Sequence, residues 1–158
     1  GERVLTLPEV LRWARGRTRL AIEIKNGPVY YPGIEDKVVA ALREESMEDS
    51  VVVISFDQWA VKRVKELAPE LATGVLYAAR PVDAVGMARA AGADALLPAW
   101  PYMTPDLVEE AHAVGLAVST WTVDDPAVMQ RVAALGPDVI SSNYPDRLRA
   151  VVDGLKVD

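Results

Sequence analysis

Short runs of β-branched and other apolar residues alternate along the chain with segments whose apolar residues recur at helical spacing. Six of the runs have the length and composition of strands: Leu20–Lys25, Val51–Phe56, Thr73–Ala78, Ala93–Pro98, Ala117–Val123 and Asp138–Asn143. Each interval between them is long enough for a crossover helix and two short loops. Because the runs are mainly apolar rather than strictly alternating, we predict parallel strands that are covered on both faces.

The segments between the strands carry the start and stop signals of helices. Thr6 and Glu9 form a capping-box pattern, and Asp57, Thr104 and Asp125 are further N-cap candidates. Three glycines follow helical stripes and suit left-handed C-terminal caps: Gly92, Gly115 and Gly136. No linker interrupts this pattern, so residues 1–158 are predicted to form one domain.

Six successive β/α units are compatible with two architectures, an open doubly wound sheet or most of a closed (β/α)8 barrel. No G-x-G-x-x-G motif follows the first strand, so the dinucleotide-binding version of the open sheet loses support. A closed barrel needs eight strands, and six would leave two sheet edges exposed. We therefore expect either a missing N-terminal segment with two more strands or a second copy of the chain that covers the gap.

Charge and cysteine content narrow the classes of partner. The chain carries 17 basic and 23 acidic residues, a formal charge of −6, which argues against nucleic acid and anionic lipid as partners. Without cysteine, neither a disulfide framework nor a zinc–thiolate site is possible, and a cytoplasmic location is expected. No apolar run approaches the ~20 residues of a membrane span.

The first predicted strand ends in two opposite charges, Glu23 and Lys25. Their spacing of two places both side chains on one face of the strand, at the carboxyl end where barrel enzymes hold their active sites. One interpretation is an internal salt bridge or a solvated strand end. The other is a site in which Glu23 binds a hard cation such as Mg²⁺ or Ca²⁺ and Lys25 binds an anion.

Aromatic and hydroxyl side chains at other strand ends are weaker candidates. Ser55 and Phe56 are interpreted either as a polar and an apolar wall of a substrate pocket or as an ordinary strand end before a helix cap. Trp121 is either a core residue or a flat wall for a ligand's carbon atoms.

Two further features are ambiguous or argue against a site. Tyr30, Tyr31 and Pro32 follow the Glu23/Lys25 strand and form either a lid or a packed turn. His112 is the single histidine and falls inside a predicted helix, where a solvent-facing or packing role is expected. One histidine cannot supply both a general acid and a general base.

The order and spacing of several motifs resemble those of the glycerophosphodiester phosphodiesterase family. The similar segments run from near the start of the chain almost to its end: Glu2–Leu11, Ala21–Lys25, Val52–Asp57, Ala111–Leu116, Thr120–Asp124 and Asp138–Asp146. In sequence, they include A-I-E-I-K, V-V-I-S-F-D and W-T-V-D.

The resemblance implies a (β/α)8 barrel that hydrolyses glycerophosphodiesters to an alcohol and glycerol 3-phosphate with a divalent cation, Ca²⁺ or Mg²⁺. It implies that Glu23 is a metal ligand, that Lys25 is a catalytic residue contacting phosphate, and that Phe56 and Trp121 line the glycerol side of the pocket. Ser55 joins them as a predicted substrate-binding residue.

The chain also departs from the family pattern. The family's H-R-G, E-x-D and H-D segments, which supply two catalytic histidines and further metal carboxylates, do not occur in it. Asn143 stands where the family has an aspartate, and Asp124 where it has an asparagine. We therefore expect the chain to be inactive alone. The alternatives are a non-catalytic barrel remnant that binds a phosphorylated ligand or self-assembles, and a different phosphate-binding barrel enzyme.

Overall fold

The computed structural model of the protein describes Gly1 and residues 3–154. Over these residues, helices and strands alternate in the order α1 (Leu7–Ala14), β1 (Leu20–Glu23), α2 (Ile34–Glu44), β2 (Val51–Ser55), α3 (Gln58–Leu67), β3 (Ala72–Tyr77), α4 (Ala84–Ala91), β4 (Ala95–Pro98), α5 (Pro105–Ala113), β5 (Ala117–Thr120), α6 (Pro126–Ala133), β6 (Val139–Ile140) and α7 (Pro145–Gly154). Short 3₁₀ turns precede β2 and follow β4, at Glu48–Ser50 and Trp100–Tyr102. The predicted α/β class is confirmed.

The described residues fall into two compact units. The first comprises the chain up to Val75 together with Arg89–Ala93, and the second comprises Leu76–Ala88 and the chain from Asp94 onward. The prediction of a single domain and of eight β/α units in the complete barrel stays a prediction.

The first unit is built on three parallel strands. β1 pairs with β2, with Leu20 opposite Val51 and Glu23 opposite Ile54, and β2 pairs with the start of β3. Alternate residues of β2, Val51 and Val53, are buried against the helices because one face of the strand is covered by them. The core is completed by the fully buried side chains Leu11, Leu42, Val64 and Leu71.

Helix caps in the first unit follow the sequence signals. The Thr6 backbone N–H donates to Glu9 Oε2 at 2.8 Å, and Arg3 pairs with the same carboxylate. The Arg3 guanidinium, with the Thr6 donors, lowers the pKa of Glu9 to about 2. At the start of α3, Asp57 accepts the Trp59 backbone N–H at 3.0 Å, which confirms the predicted cap.

The second unit contains a parallel β4–β5–β6 arrangement. Leu96 lies opposite Val118 in the first pairing, and Thr120 lies opposite Ile140 in the second. The predicted caps are confirmed, since Thr104 accepts the Leu107 N–H and Asp125 accepts two N–H groups at the start of α6. A small apolar cluster joins Val123 to Met129 and Val132 of α6, and Leu148 and Val151 of α7 pack against it.

Most strands are shorter than the apolar runs predicted. β1 stops before Lys25, β2 stops before Phe56, β5 stops at Thr120 and β6 holds only Val139–Ile140. At the end of β2, a side-chain oxygen takes a backbone N–H that a longer ladder would use. Ser55 Oγ accepts the Asp57 N–H at 3.0 Å, where the chain turns into α3.

Three helices are followed by a glycine cap, and every helix of the described chain is short. The three predicted cap glycines have positive φ, confirming the left-handed caps: Gly92 at 65°, Gly115 at 79° and Gly136 at 77°. The longest helix of the described chain, α2, has 11 residues. Among the described residues, no helix combines the length and the apolarity needed to cross a bilayer.

Candidate functional site

Glu23 and Lys25 lie at the carboxyl end of β1 and line a cleft of about 700 Å³ in the first unit. Glu23 is the last residue of the strand, and the next residue, Ile24, still donates its N–H to Ile54 O at 2.9 Å. That bond fixes the backbone between the two charges. Ile24 is buried, whereas the side chain of Lys25 is 75% exposed and that of Glu23 is 28% exposed. The predicted pair therefore lies in an open cleft.

Lys25 Nζ and Glu23 Oε2 are 2.6 Å apart, so the two side chains form an ion pair. Ion pairs exposed to this degree contribute about 0–1 kcal/mol, because water competes with both partners. An anionic ligand can therefore take the ammonium away from Glu23 at little cost. The contact accords with the salt-bridge interpretation, and the exposure leaves the ligand-binding interpretation open.

Ser55 lies beneath the cleft and is almost fully buried, with 1% exposure. Its hydroxyl donates to Ile24 O at 2.6 Å and accepts the Asp57 N–H at 3.0 Å. It thereby links the end of β1 to the start of α3. The hydroxyl supports the floor of the cleft, and its predicted contact with substrate stays a prediction.

Aromatic side chains form the exposed walls of the cleft. Phe56, predicted as an apolar wall, is 49% exposed and lines it. Tyr30 and Trp59, which are 67% and 76% exposed, line it as well. The exposure of Tyr30 and Tyr31 argues against the packed-turn interpretation of this loop, and the lid interpretation stays a prediction. Sequence reasoning missed Trp59, although its position just after the Asp57 cap was a usable signal.

An amide at the edge of the cleft, Asn26, was also missed. Its Nδ2 donates to Glu35 Oε1 at 3.0 Å and lies 3.4 Å from Asp57 Oδ2. Its Oδ1 accepts the Tyr31 N–H at 2.9 Å. Glu35 is buried at the first turn of α2. The position of Asn26 directly after Lys25 was the available signal, but the pairing with α2 and α3 is a tertiary contact.

Trp121 belongs to the second unit. Its indole N–H donates to Leu97 O at 2.9 Å, and its carbonyl accepts the Trp100 N–H at 3.0 Å. The ring is partly buried. These bonds hold the indole against β4, and its predicted role as a wall for substrate stays a prediction.

The exchanged residues Asp124 and Asn143 bind each other at the ends of β5 and β6. The Asn143 backbone N–H donates to Asp124 Oδ1, and its Nδ2 donates to Oδ2, both at 2.8 Å. Ser142 Oγ donates to Oδ1 at 3.1 Å. Donation from the Asn143 side chain is the main reason that the pKa of Asp124 is lowered. The exchange therefore keeps a carboxylate–amide contact between the two loops.

His112 lies in α5, as predicted, and is largely exposed. Its Nε2 is 2.9 Å from Asp138 Oδ2, and the same oxygen accepts the Val118 N–H at 2.7 Å. These contacts hold the histidine at the amino end of the β5–β6 pairing, which fits the predicted solvent-facing or packing role.

A divalent cation fits Glu23 only as one ligand among several. The carboxylate is accessible and is the oxygen type that Ca²⁺ and Mg²⁺ prefer. Those ions take about six to eight oxygen ligands. Within residues 3–154 and Gly1, no group of three or more His, Asp or Glu side chains is placed to hold a metal ion. The described residues thus provide one ligand position and not a coordination shell, and no reaction step is assigned to a metal.

Comparisons with known proteins converge on one family. Residues 1–147 match the Glycerophosphoryl diester phosphodiesterase family. The chain is 38% identical over 149 residues to a glycerophosphodiester phosphodiesterase of Caldanaerobacter subterraneus subsp. tengcongensis, with 94% of this chain and 61% of the relative covered.

Solved structures give the same result for the fold. A Silicibacter pomeroyi DSS-3 protein assigned to the glycerophosphoryl diester phosphodiesterases superimposes with a TM-score of 0.88 at 29% identity, over 96% of this chain and 57% of that one. A glycerophosphodiester phosphodiesterase from Parabacteroides distasonis ATCC 8503, 22% identical, shares the fold with a TM-score of 0.88 over 99% and 67% of the two chains. The chain thus spans about three fifths of the length of the Caldanaerobacter and Silicibacter proteins.

Proposed function

Because the chain belongs to the Glycerophosphoryl diester phosphodiesterase family, we propose that it forms the phosphodiester-binding part of an enzyme that hydrolyses glycerophosphodiesters. In that reaction, water adds to phosphorus and the alcohol leaves with a proton, which yields the free alcohol and glycerol 3-phosphate. The observation that carries the proposal is the exposed Glu23–Lys25 pair in the cleft at the end of β1.

In this proposal, Lys25 binds a non-bridging phosphate oxygen and stabilises the negative charge that grows there as water attacks. Glu23 positions the ammonium in the cleft and supplies one oxygen ligand to Ca²⁺ or Mg²⁺. When bound, such a cation neutralises phosphate charge. Ser55 supports the floor beneath both residues, Phe56 packs against glycerol carbons, and Trp121 is the second proposed apolar wall.

Proton transfer to the leaving alcohol requires a group that these residues do not provide. The only histidine of the chain, His112, contacts Asp138, and one imidazole cannot act as general acid and general base in the same step. We therefore expect this chain to bind a phosphodiester without turning it over. The non-catalytic alternative is a barrel remnant that binds a phosphorylated ligand or self-assembles through open sheet edges. Self-assembly predicts a dimer or a larger species in solution, which a measurement of mass detects.

Calorimetric titration with glycerol 3-phosphate tests the binding site. Lys25→Met is expected to weaken binding about tenfold or more, since a charge-assisted hydrogen bond is worth ~1.5–3 kcal/mol. Lys37→Met removes the same charge from the exposed surface of α2 and is the matched control, expected to bind like the parent chain.

Two results would contradict the proposal. Equal affinity of the parent chain and Lys25→Met would remove Lys25 from the site. Release of glycerol 3-phosphate from glycerophosphoglycerol by the purified chain would show that turnover needs no further groups.

A further inference from the structure

A cavity of about 450 Å³ lies in the second unit, between the β3–α4 loop and the first two turns of α5. We call it the α5 cavity. Its walls include Tyr77 at the end of β3, Arg80 in the loop, and Asp106 and Glu110 on α5. All of its lining residues belong to the second unit. Residues of a single unit therefore form the whole wall of the cavity.

The hydroxyl of Tyr77 is buried and has no hydrogen-bond partner among the described residues. The tyrosine is 7% exposed and lines the α5 cavity. Its backbone carbonyl is satisfied, since it accepts the Ala99 N–H at 2.8 Å, so only the hydroxyl lacks a partner. A buried hydroxyl without a hydrogen bond costs free energy, and water or a ligand satisfies groups that the chain itself leaves unpaired. A ligand seated against Tyr77 would supply the partner.

Opposite charges line the α5 cavity without meeting each other. Among the described residues, the Arg80 guanidinium forms no ion pair, and neither carboxylate of Asp106 and Glu110 forms one. The guanidinium nitrogens therefore lie more than 4.0 Å from the oxygens of both carboxylates. This separation leaves space for a molecule that carries both a negative and a positive charge.

The two carboxylates are four residues apart and thus share one face of α5. Like charges at this spacing destabilise a helix. The helix dipole favours Asp106 in the first turn of α5, but Glu110 lies beyond that turn and gains less from it. An ammonium group beside both carboxylates would remove their repulsion.

We propose that the α5 cavity binds a small zwitterion whose carboxylate and ammonium are separated by an alkyl chain, as in lysine and the ω-amino acids. Arg80 and the Tyr77 hydroxyl donate to the carboxylate, and Asp106 and Glu110 accept from the ammonium. The alkyl chain packs against Leu107, which also lines the cavity. The inference goes beyond the proposed function, and neither depends on the other.

Titration followed by backbone NMR chemical shifts tests the class of ligand. The probe is 6-aminohexanoate, and the matched compounds hexanoate and hexylamine each carry one of its two charges. A dissociation constant of about 1–10 mM is expected for a ligand of this size. Hexanoate and hexylamine are each expected to bind about tenfold more weakly, because each leaves one set of charged groups unused. The shifted amides are expected within residues 76–88 and 104–113.

Removal of the Tyr77 hydroxyl separates ligand binding from a purely structural role. Tyr77→Phe is expected to weaken binding of 6-aminohexanoate about fivefold, since one hydrogen bond to the ligand is lost. The same variant is expected to be more stable than the parent chain without ligand, because the unpaired group is gone. Tyr144→Phe is the matched control at an exposed tyrosine and is expected to change neither property.

Substitution of the charged groups assigns the two ends of the ligand. Arg80→Gln is expected to weaken binding of 6-aminohexanoate about tenfold and to leave the binding of hexylamine unchanged. Glu110→Gln is expected to weaken it about threefold, as for an exposed ion pair, and to leave the binding of hexanoate unchanged. Glu109→Gln is the matched control, since Glu109 is exposed on α5 and does not line the cavity.

Three results would overturn the proposed zwitterion site. The first is the absence of saturable shifts up to about 50 mM 6-aminohexanoate. The second is equal affinity for hexanoate or hexylamine, which would reduce the ligand to a single charge. The third is unchanged binding in both Arg80→Gln and Tyr77→Phe, which would place the compound elsewhere on the protein.

Discussion

Two glutamates of the first unit, Glu45 and Glu23, both form ion pairs in very different surroundings. Glu45 has a side chain only 8% exposed, and its two oxygens meet Arg12 and Arg15 at 2.6 Å each. Arg15 also donates to the Glu45 backbone carbonyl. Glu23 is 28% exposed, and its partner Lys25 is 75% exposed in an open cleft.

The difference separates a charge that holds the fold together from one that is available to a ligand. Glu45 joins the end of α2 to α1, and its carboxylate is shielded from water, so removing it leaves two guanidinium groups without a carboxylate partner. The Glu23–Lys25 contact keeps access to water, and neither side chain is committed to a second element of the described structure. Ion pairing alone thus does not distinguish a structural glutamate from one that can bind a ligand. The exposure of the side chain and the number of its partners make that distinction.

The largest predicted effect comes from removing the buried carboxylate of Glu45, which pairs with Arg12 and Arg15. Glu45→Ala is expected to lower the free energy of unfolding by about 2–3 kcal/mol, since the loss of one partner from a buried pair is strongly destabilising and the half-exposed arginines regain some hydration. Urea denaturation followed by circular dichroism measures it. A loss below about 0.5 kcal/mol would mean that the arginines are fully solvated without Glu45.

A smaller effect, of opposite sign, is expected where a buried polar group has no partner. The Tyr77 hydroxyl is the one buried side-chain polar atom among the described residues without a hydrogen bond, and burial raises the pKa of Tyr77 to about 12. Tyr77→Phe is expected to stabilise the protein by about 1 kcal/mol, because an unsatisfied buried group is removed.

The same substitution has a pH signature. The folded-state pKa lies above the ordinary value of 10.0. Ionisation of Tyr77 therefore does not affect the free energy of unfolding below pH 10. Between pH 10 and 12 the unfolded chain loses the phenol proton more readily than the folded protein, so the free energy of unfolding falls as the pH rises. Denaturation between pH 9 and 11 should show a smaller decline for Tyr77→Phe than for the parent chain, and identical slopes would show that the hydroxyl is solvated.

The smallest effect on stability is expected for the exposed Glu23–Lys25 ion pair. Glu23→Gln should change the free energy of unfolding by no more than about 0.5 kcal/mol, as for other exposed ion pairs. Parallel denaturation of Glu23→Gln and Glu45→Ala sharpens the contrast. Similar losses in the two variants would make Glu23 a structural residue and would remove the basis for its proposed role as a cation ligand.

Much of the local structure was predictable because it depends on contacts within a few residues. The caps at Thr6, Asp57, Thr104 and Asp125 and the left-handed glycines are set by side chains close to the backbone groups they satisfy. The strand ends were placed less well. The interruption after Ser55 depends on a bond to Ile24, 31 positions earlier in the chain, which no local pattern contains.

The sequence by itself determined the α/β class, the order of the elements and the spacing that puts Glu23 and Lys25 together, because strand geometry repeats every two residues. Tertiary structure alone decided that Glu45 is buried between two arginines and that Glu23 lies in an open cleft. It also brought Asn26, Tyr30 and Trp59 around one cavity. Burial and long-range pairing depend on where distant segments pack, and the residue types along one segment do not specify that.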